Sequence, residues 1–514
     1  MRRHAPLLLV ALLAGCGEVD SSVDADEDDL GDLDTIEYLD GAPPEDKDAL
    51  PWGDDADEDA SDAPDDLARA DAAMDARPDA AADVARPDAV ADVARVDAPD
   101  APDAGDAGAP YNFPTPIHRV VVLVRENRTF DHLFAGFPGA ESRTYGLRSD
   151  GSRVPLARAP AGDLPGDIRH NHNGALMAYR GGRMNGFDLN AARYSDTRNP
   201  LGPFLHYAED QIPNYWRLAR RFTLCDHFHS TMLAGSSPGH LTFWAAQSPL
   251  IDNPDCDGTL CAAGGGCFSR ASEATTYNQD TCAIAADTTT ACFDVPTLVD
   301  RFPAALTWRA YAHVNAAGVV SPPLDMTRGP TRDRAAFLAH AGDQTDLVAD
   351  LRAGRVPNLL IAHIGGAVGE HPPNGLCHGE NFAVDVVNAV MNGPYWRETA
   401  ILITYDDWGG FYDHVAPPQE RCGNGSHVRL GFRLPMIVVS PYAHRGADLA
   451  HPWVFHGVAD QASVPRLVED LLRLPRMAAR DPHARDARAG SLLGAFDFAH
   501  PDFSTVTLTR RTCP

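Results

Sequence analysis

The chain has 514 residues, with 72 Asp and Glu against 43 Lys and Arg, and a formal net charge of −29. The segment 17–110 alone carries 32 acidic and five basic residues, so residues 111–514 have a net charge of only −4. Because no basic stripe offsets the acidic segment, we expect no nucleic acid partner. The single lysine, Lys47, lies in that segment, which excludes Schiff-base chemistry and a P-loop lysine.

The first 16 residues have the pattern of an export signal. Arg2 and Arg3 precede a short apolar run, Leu7 to Leu13, and the run is followed by Ala-Gly-Cys16. This ending resembles a bacterial lipoprotein signal, in which Cys16 is lipidated and holds the protein on the membrane. We therefore expect an exported protein that is lipid-anchored to a bacterial membrane, either periplasmic or surface-exposed. An ordinary cleaved signal and an uncleaved apolar segment are the alternatives.

Residues 17–110 consist mainly of Asp, Ala and Pro and contain almost no aromatic residues. Such a segment cannot bury enough apolar surface to offset the entropy cost of ordering it, so we predict a disordered acidic stalk. Near repeats of nine residues begin at Ala76, Ala85 and Ala94, a period too short and too polar for a solenoid. The catalytic domain is therefore predicted at 111–514.

A Gly-, Asp- and Thr-rich insert at about 252–293 concentrates half of the ten cysteines. We predict that disulfides hold this insert together. Closely spaced cysteines also occur in zinc sites, but the CxxC pairs usual there are absent. Cys225, in the apolar run FTLCDHF, is expected to be unpaired, and the pairings of the others stay open. The five cysteines of the insert are Cys256, Cys261, Cys267, Cys282 and Cys292.

Two predicted apolar strands end in polar side chains. Val120 to Val124 is followed after one residue by Glu126-Asn127, and Thr399 to Tyr405 is followed by Asp406-Asp407. Ligands of open α/β sheets bind beyond the carboxyl ends of the strands. If the two strands are neighbours, four oxygen-bearing side chains converge, and their like charges favour a bound divalent cation. The sequence thus predicts a metal site, with a polar strand end that caps a turn as the alternative.

A glycine pair follows the second strand. Gly409-Gly410 allows a sharp turn of the backbone, which predicts that Asp413 and His414 fold back toward the same carboxylates.

The stretch HSTMLAGSSPGHLTFWAAQS carries a candidate nucleophile. Ser236 stands at the predicted N-cap of a helix with Pro238 in its first turn, so free backbone N–H groups are expected to face whatever the serine touches. That arrangement suits a phosphate. From these residues alone, a plain capping serine is the preferred interpretation.

Strands alternate with helices through the rest of the chain, which predicts an α/β domain. Two histidines, His313 after WRAYA and His371 in GEHPP, stand near strand ends, although a lone histidine more often has a hydrogen-bonding role. The further predicted strands are Leu306 to Tyr311, Asn358 to Ile364 and Pro435 to Ser440, and the predicted helices are Asp210 to Phe222, Asn381 to Met391 and Ser463 to Leu474.

Three motifs resemble signatures of the bacterial phosphoesterase family that contains phospholipases C and the acid phosphatase AcpA. They are ENRTFDHLFAG at Glu126, DDWGGFYDHVAPP at Asp406 and LPMIVVSPYA at Leu434. The resemblance runs from about His118 to about Leu474. It implies the fold of the alkaline phosphatase superfamily, an α/β three-layer sandwich in which helices flank a central, mostly parallel sheet.

The resemblance also implies a nucleophile. HSTMLAGSSPGH looks like the family's GPTxPNH or GPSxPNH, in which the Thr or Ser is the nucleophile, and Ser236 falls at that place. Ser237 is a weaker second choice. The chain departs from the pattern with Gly235 in place of Pro and Gly239 in place of Asn.

The implied metal site holds one divalent ion of unknown identity. The resemblance supports two histidines, His371 in a segment resembling SEHPP and His170 by its distance from GGRMNGF, with His172 close behind. His371, His170 or His313, the last chosen only for its place near a strand end, would protonate the leaving alcohol. The implied metal ligands are Glu126, Asn127, Ser236, Asp406 and Asp407.

We expect a metal-dependent phosphoesterase of the phospholipase C or acid phosphatase type, which hydrolyses phosphate mono- or diesters through a phosphoserine intermediate. Phospholipid headgroups are among the candidate substrates. The alternatives are a sulfatase or phosphonate hydrolase on the same scaffold, and a surface-binding lipoprotein without activity.

Overall fold

The computed structural model describes residues 111–256, 266–268, 272–313, 323–422, 424–425 and 427–514. The export signal with Cys16, the acidic stalk 17–110 and Cys261 lie outside the described residues, so these expectations stay predictions. Among the helices in the described ranges, none has the length and apolar character needed to cross a membrane.

An eight-stranded sheet forms the centre of the fold. Its strands in chain order are β1 (Arg119–Arg125), β2 (Thr223–Cys225), β3 (Trp308–Ala312), β4 (Ala341–Asp343), β5 (Leu359–His363), β6 (Thr399–Tyr405), β7 (Met436–Val439) and β8 (Val454–Phe455).

The order across the sheet is β4-β3-β5-β1-β6-β7-β2-β8. All strands are parallel except β7, which is antiparallel to both of its neighbours. The central strands β1, β5 and β6 are apolar and almost completely buried, as expected for parallel strands covered on both faces. The predicted α/β fold, with helices flanking a mostly parallel sheet, is confirmed.

The helices in chain order are α1 (Phe130–Phe134), α2 (His172–Tyr179), α3 (Phe187–Tyr194), α4 (Pro213–Arg221), α5 (Ser236–Ala245), α6 (Arg328–Thr331), α7 (Arg334–His340), α8 (Gln344–Arg352), α9 (Leu376–Met391) and α10 (Ser463–Leu472). Helix α5 contacts α10, and α9 contacts both α4 and α8.

Short strands outside the central sheet pair locally or join distant loops. Tyr145–Leu147 pairs with Arg153–Pro155, Ala157–Arg158 with Leu205–His206, Phe228–His229 with Ala459–Asp460, Gln419–Arg421 with His427–Arg429, and Ser272–Tyr277 with both Asp255–Cys256 and Ile284–Thr290.

The strand predicted at Thr399 to Tyr405 has the same bounds as β6, whereas some helix bounds differ. The helix predicted from Asp210 begins at Pro213, because proline fixes the first helical position. Helix α9 begins at Leu376, before the predicted Asn381. Its first turn contains Gly379, where an added Cβ would lie 2.1 Å from the Glu370 side chain. Tight packing therefore explains a residue that local helix propensity disfavours.

Three disulfides join described residues. Cys267–Cys292 lies within the predicted insert, Cys282–Cys422 links the insert to the segment after β6, and Cys377–Cys513 links α9 to the chain end. Cys225 is fully buried and unpaired, which confirms the prediction for this residue.

Candidate active site

The carboxyl ends of β1 and β6 bring the predicted ligand pairs side by side. The two strands are parallel and place Arg125 opposite Tyr405, the residues just before Glu126-Asn127 and Asp406-Asp407. The backbone N–H of Asn127 donates to Asp406 Oδ1 at 3.0 Å. Asn127 has a φ of 67°, in the left-handed region that asparagine tolerates better than most residues.

The glycine pair after β6 is required by close packing. Gly409 has a φ of 61°, and a Cβ there would lie 2.3 Å from Asn127 O. Gly410 has a φ of 78°, and a Cβ there would lie 2.5 Å from Ile168 Cβ. The turn also places the Gly409 N–H so that it donates to Asp407 Oδ1 at 2.8 Å. The sharp turn predicted for this pair therefore holds the Asp407 carboxylate in place.

Ser236 lies at the start of α5, next to these strand ends. Its Oγ donates a hydrogen bond to Asp407 Oδ2 at 2.8 Å. Asn127 Nδ2 donates to the same carboxylate oxygen at 2.8 Å and lies 3.3 Å from Ser236 Oγ. A Cβ at Gly239 would lie 2.3 Å from Asp406 O, so the glycine lets the helix approach the strand end closely.

The start of α5 differs from the prediction. Gly235 is the N-cap and Ser236 is the first helical residue. The N–H of Gly235 donates to Asp252 Oδ1 at 3.3 Å, and that of Ser237 donates to Asn253 Oδ1 at 2.7 Å. The expectation of a free N–H is therefore wrong for Ser237, because Asn253 at the start of the insert folds back and caps the helix.

Of the predicted histidines, His170 is the one that lies nearest the strand ends. Its Nε2 is 2.8 Å from Asn127 Nδ2 and 3.8 Å from Asp407 Oδ2. Burial lowers the pKa of His170, but the carboxylates of Asp407 and Asp167 outweigh burial and raise that pKa to about 9. The ring of His371 lies 5.5 Å from that of His170, and burial together with the charge of a protonated His170 lowers the pKa of His371. The Asn127 amide donates to His170 Nε2, so in this structure the His170 proton lies on Nδ1, which donates to the Ile168 carbonyl at 2.7 Å.

His313 lies farther out. It is exposed, and its ring is close to Gly366, where an added Cβ would lie 3.3 Å from it. A Cβ at the neighbouring Gly365 would lie 3.1 Å from His313 Cβ and 3.5 Å from Glu126 Oε1, so only this glycine separates the two side chains. His172 has a structural position instead, since its half-buried ring donates to the Leu233 carbonyl at 2.6 Å.

The carboxylates of the site repel one another. Burial and the negative charge of Asp406 raise the pKa of Glu126 to about 8. Burial, and again Asp406, raise the pKa of Asp407 to about 7 against the opposing effect of His170. A further oxygen, Asn127 Oδ1, is buried without a hydrogen-bond partner among the described residues. Clustered carboxylate and amide oxygens of this kind are the donors that hard divalent cations prefer.

In the described parts of the chain, two groups of three acidic or histidine side chains have ligand atoms within 4.8 Å of one another. One, Asp167, His170 and His371, adjoins the site above. The other contains Asp413 and His414 with Asp131. Asp413 and His414 were predicted to fold back toward the strand-end carboxylates, but they have other partners. Asp413 bonds Arg433 at 3.0 Å, and His414 bonds Asp131 at 2.5 Å. The buried Arg433 also bonds Asp131, at 3.3 Å, and so offsets part of the negative charge of this second group.

The sequence reasoning missed a chain of buried side chains behind Asp406. The Trp244 indole, which can only donate, bonds His363 Nε2 at 3.0 Å, so His363 carries its proton on Nδ1. That proton faces His240 Nδ1 at 2.9 Å, and His240 Nε2 lies 3.2 Å from Asp406 Oδ2. The negative charge of Asp406 favours a positively charged His240. A proton on His240 Nδ1 would, however, face the Nδ1 proton of His363, so we assign the neutral form to His240. His240 could have been found from the sequence, because it lies four residues after Ser236 and therefore on the same face of the helix.

A serine hydroxyl bonded to a carboxylate, at strand ends rich in oxygen ligands, is an arrangement typical of α/β hydrolases. Residues 117–475 match the Phosphoesterase family, so the chain belongs to that family and is a phosphoric ester hydrolase.

The chain is also similar to characterised phospholipases. It is 27% identical over 447 residues to "Phospholipase C A" of Mycobacterium tuberculosis, which covers 76% of this chain and 79% of that protein. It is 27% identical over 451 residues to "Non-hemolytic phospholipase C" of Burkholderia pseudomallei, covering 76% of this chain and 60% of that protein. The solved structure of a protein of the alkaline phosphatase superfamily from Vibrio parahaemolyticus aligns with 51% of this chain and 60% of that protein's chain, at 11% sequence identity. The TM-score of 0.26 is too low to support an argument.

Proposed function

We propose that the enzyme is a metal-dependent phosphoesterase of the phospholipase C type that hydrolyses phosphate esters through a phosphoseryl intermediate on Ser236. The observation that carries the proposal is the 2.8 Å hydrogen bond from Ser236 Oγ to Asp407 Oδ2. Family membership and the similarity to phospholipases C support the reaction class.

One divalent cation would be held by Glu126, Asn127, Ser236, Asp406 and Asp407. The fit rests on the buried Asn127 Oδ1, which has no hydrogen-bond partner among the described residues, and on the raised pKa values of Glu126 and Asp407. A bound cation supplies positive charge that lowers the pKa of a serine hydroxyl and stabilises developing charge on phosphoryl oxygens.

The residues of the chain divide the proton transfers between them. Ser236 Oγ attacks phosphorus, and Asp407, which accepts its hydrogen bond, is placed to receive the hydroxyl proton. As the bond from phosphorus to the alcohol oxygen breaks, His170, whose pKa the neighbouring carboxylates raise, would donate a proton to that oxygen, with His371 beside it and His313 at the rim. Attack of water on the phosphoserine then releases phosphate, or a phosphomonoester when the substrate is a diester, and restores the hydroxyl.

The substrate proposal includes phospholipid headgroups and rests on the similarity to phospholipases C. Anchoring through a lipidated Cys16 would place the site near such a substrate. The predicted sulfatase or phosphonate hydrolase is the second candidate, but no observation in the described residues favours it over phosphate esters.

Hydrolysis of chromogenic esters by the purified protein tests the proposal. We expect turnover of p-nitrophenyl phosphate or p-nitrophenylphosphorylcholine that is lost with a chelator and restored by one divalent cation, and no turnover of p-nitrophenyl sulfate. Full phosphate ester turnover after verified removal of all metal would contradict the metal dependence. Preferred turnover of the sulfate ester would contradict the substrate class.

A further inference from the structure

We propose that Glu370 is a positioning residue of the active site, which fixes the ends of the two ligand-bearing strands without touching substrate. The inference rests on the proposed metal site. Glu370 is fully buried, in the segment between β5 and α9, and it immediately precedes His371. Nothing in its own position gives it access to a reacting atom, so its effect must pass through its neighbours.

Three donors converge on the Glu370 carboxylate. Arg125 Nη2 donates to Oε1 at 3.0 Å, and the Tyr215 hydroxyl donates to the same oxygen at 2.7 Å. The Tyr405 hydroxyl donates to Oε2 at 2.5 Å. Arg125 is the last residue of β1 and Tyr405 the last of β6, and the two are opposite each other in the sheet. One carboxylate thus joins the residues that directly precede Glu126 and Asp406.

The backbone around Glu370 makes a second connection to the same place. The N–H of Glu126 donates to the Gly369 carbonyl at 2.9 Å, and the N–H of Asp406 donates to the Arg125 carbonyl at 3.1 Å. Glu370 itself has a φ of 79°, which a non-glycine residue adopts at a cost. The surrounding contacts therefore hold the segment in a conformation that it would not otherwise prefer, and His371 follows directly.

The charges of Arg125 and Glu370 offset each other, and both side chains are tightly packed. Arg125 and Glu370 are both fully buried, and Arg125 also donates to the Val368 carbonyl. A Cβ at Gly379 would lie 2.1 Å from Glu370 Oε1 and 2.3 Å from Arg125 Nη2, so α9 leaves no room for either group to move. Because both strand ends depend on one immobile carboxylate, we infer that it sets the spacing of the cation ligands.

The test uses Tyr405→Phe, which deletes the hydroxyl that links Glu370 to the strand of Asp406-Asp407. Tyr311→Phe is the matched control, since the Tyr311 hydroxyl also donates to a buried carboxylate, that of Asp350, from strand β3 of the same sheet. We expect both variants of the full-length protein to lose thermal stability, because each loses a buried hydrogen bond. Tyr405→Phe alone should bind Mn²⁺ or Zn²⁺ about 10- to 100-fold more weakly in calorimetry, and excess cation should restore its turnover.

Glu370→Gln, which keeps the side-chain size but removes the charge opposite Arg125, should weaken cation binding at least as much as Tyr405→Phe. Equal cation affinities of Tyr405→Phe and Tyr311→Phe, with wild-type binding intact, would overturn this inference alone. Absence of cation binding by the wild type would overturn the proposed metal site together with it.

Discussion

Replacement of Gly239 by alanine tests how closely helix α5 must approach the strand end. The added Cβ would lie 2.3 Å from Asp406 O and 2.6 Å from Gln461 Nε2, whereas ordinary contact begins at 3.4 Å. The helix must therefore retreat by about 1.1 Å, because Asp406 O cannot easily move. Asp406 directly follows β6, which is paired on both sides, and its carbonyl accepts a hydrogen bond from Gln461 at 2.5 Å. Ser236, three residues earlier, moves with the helix and separates from Asp407.

A misplacement of about 1 Å can lower turnover by roughly 100-fold, and overpacking of this kind costs about 1–3 kcal/mol of stability. We expect Gly239→Ala to lose turnover of p-nitrophenyl phosphate far in excess of its loss of folded protein, measured by thermal unfolding. Gly162→Ala is the control, because a Cβ there meets nothing nearer than 3.8 Å. A folded Gly239→Ala with the turnover of this control would refute the reasoning.

Three further predictions concern the nucleophile, the cation and the buried histidines. Ser236→Ala should lose nearly all turnover but still bind vanadate in calorimetry. Ser237→Ala removes a hydroxyl from the first turn of the helix and should cost about 1 kcal/mol of stability or less. If the two variants exchange these behaviours, the nucleophile is misassigned. Asp406→Asn should lose bound metal and turnover together without unfolding, and full activity in the metal-free variant, shown by elemental analysis, would disprove the metal site. Burial lowers the pKa of His229 from 6.5 to about 4. As the pH falls from 6.5 to about 4, the His229 imidazole therefore gains a proton in the unfolded chain but not in the folded one. The free energy of unfolding should fall by up to about 3 kcal/mol over this range. Unfolding of His229→Asn should depend less on pH over that range, whereas the exposed His451→Asn should behave as the wild type does; identical profiles for all three proteins would contradict the assignment.

Local pattern was sufficient for the strands that carry the site. The run Thr399 to Tyr405 is uniformly apolar or β-branched, it is bounded by charged residues, and the structure reproduces its bounds as β6. The pairing of β1 with β6 was only a condition of the metal hypothesis, because nothing in either strand specifies its neighbour. The parallel register of Arg125 with Tyr405 supplies that condition.

The remaining features depend on contacts between residues distant in the chain. Asp252 accepts a hydrogen bond from the N–H of Gly235, which lies 17 residues earlier in the chain. The composition of the insert gives no sign that it caps the start of helix α5. His363 is 119 residues from Trp244, so their hydrogen bond could not be read from spacing. The turn at Gly409-Gly410 was predicted, but the destination of Asp413 depended on Arg433, a partner that only the fold brings near.

The most direct test of the account is to trap the covalent intermediate. Wild-type protein is quenched in acid during turnover of a labelled phosphate ester, and the tryptic peptide that begins at Phe222 is sequenced by fragmentation, which separates Ser230, Ser236 and Ser237. The account predicts label on Ser236 alone, and none in Ser236→Ala. Turnover with no labelled serine would contradict it and favour direct attack by water, and label on another residue would place the nucleophile elsewhere.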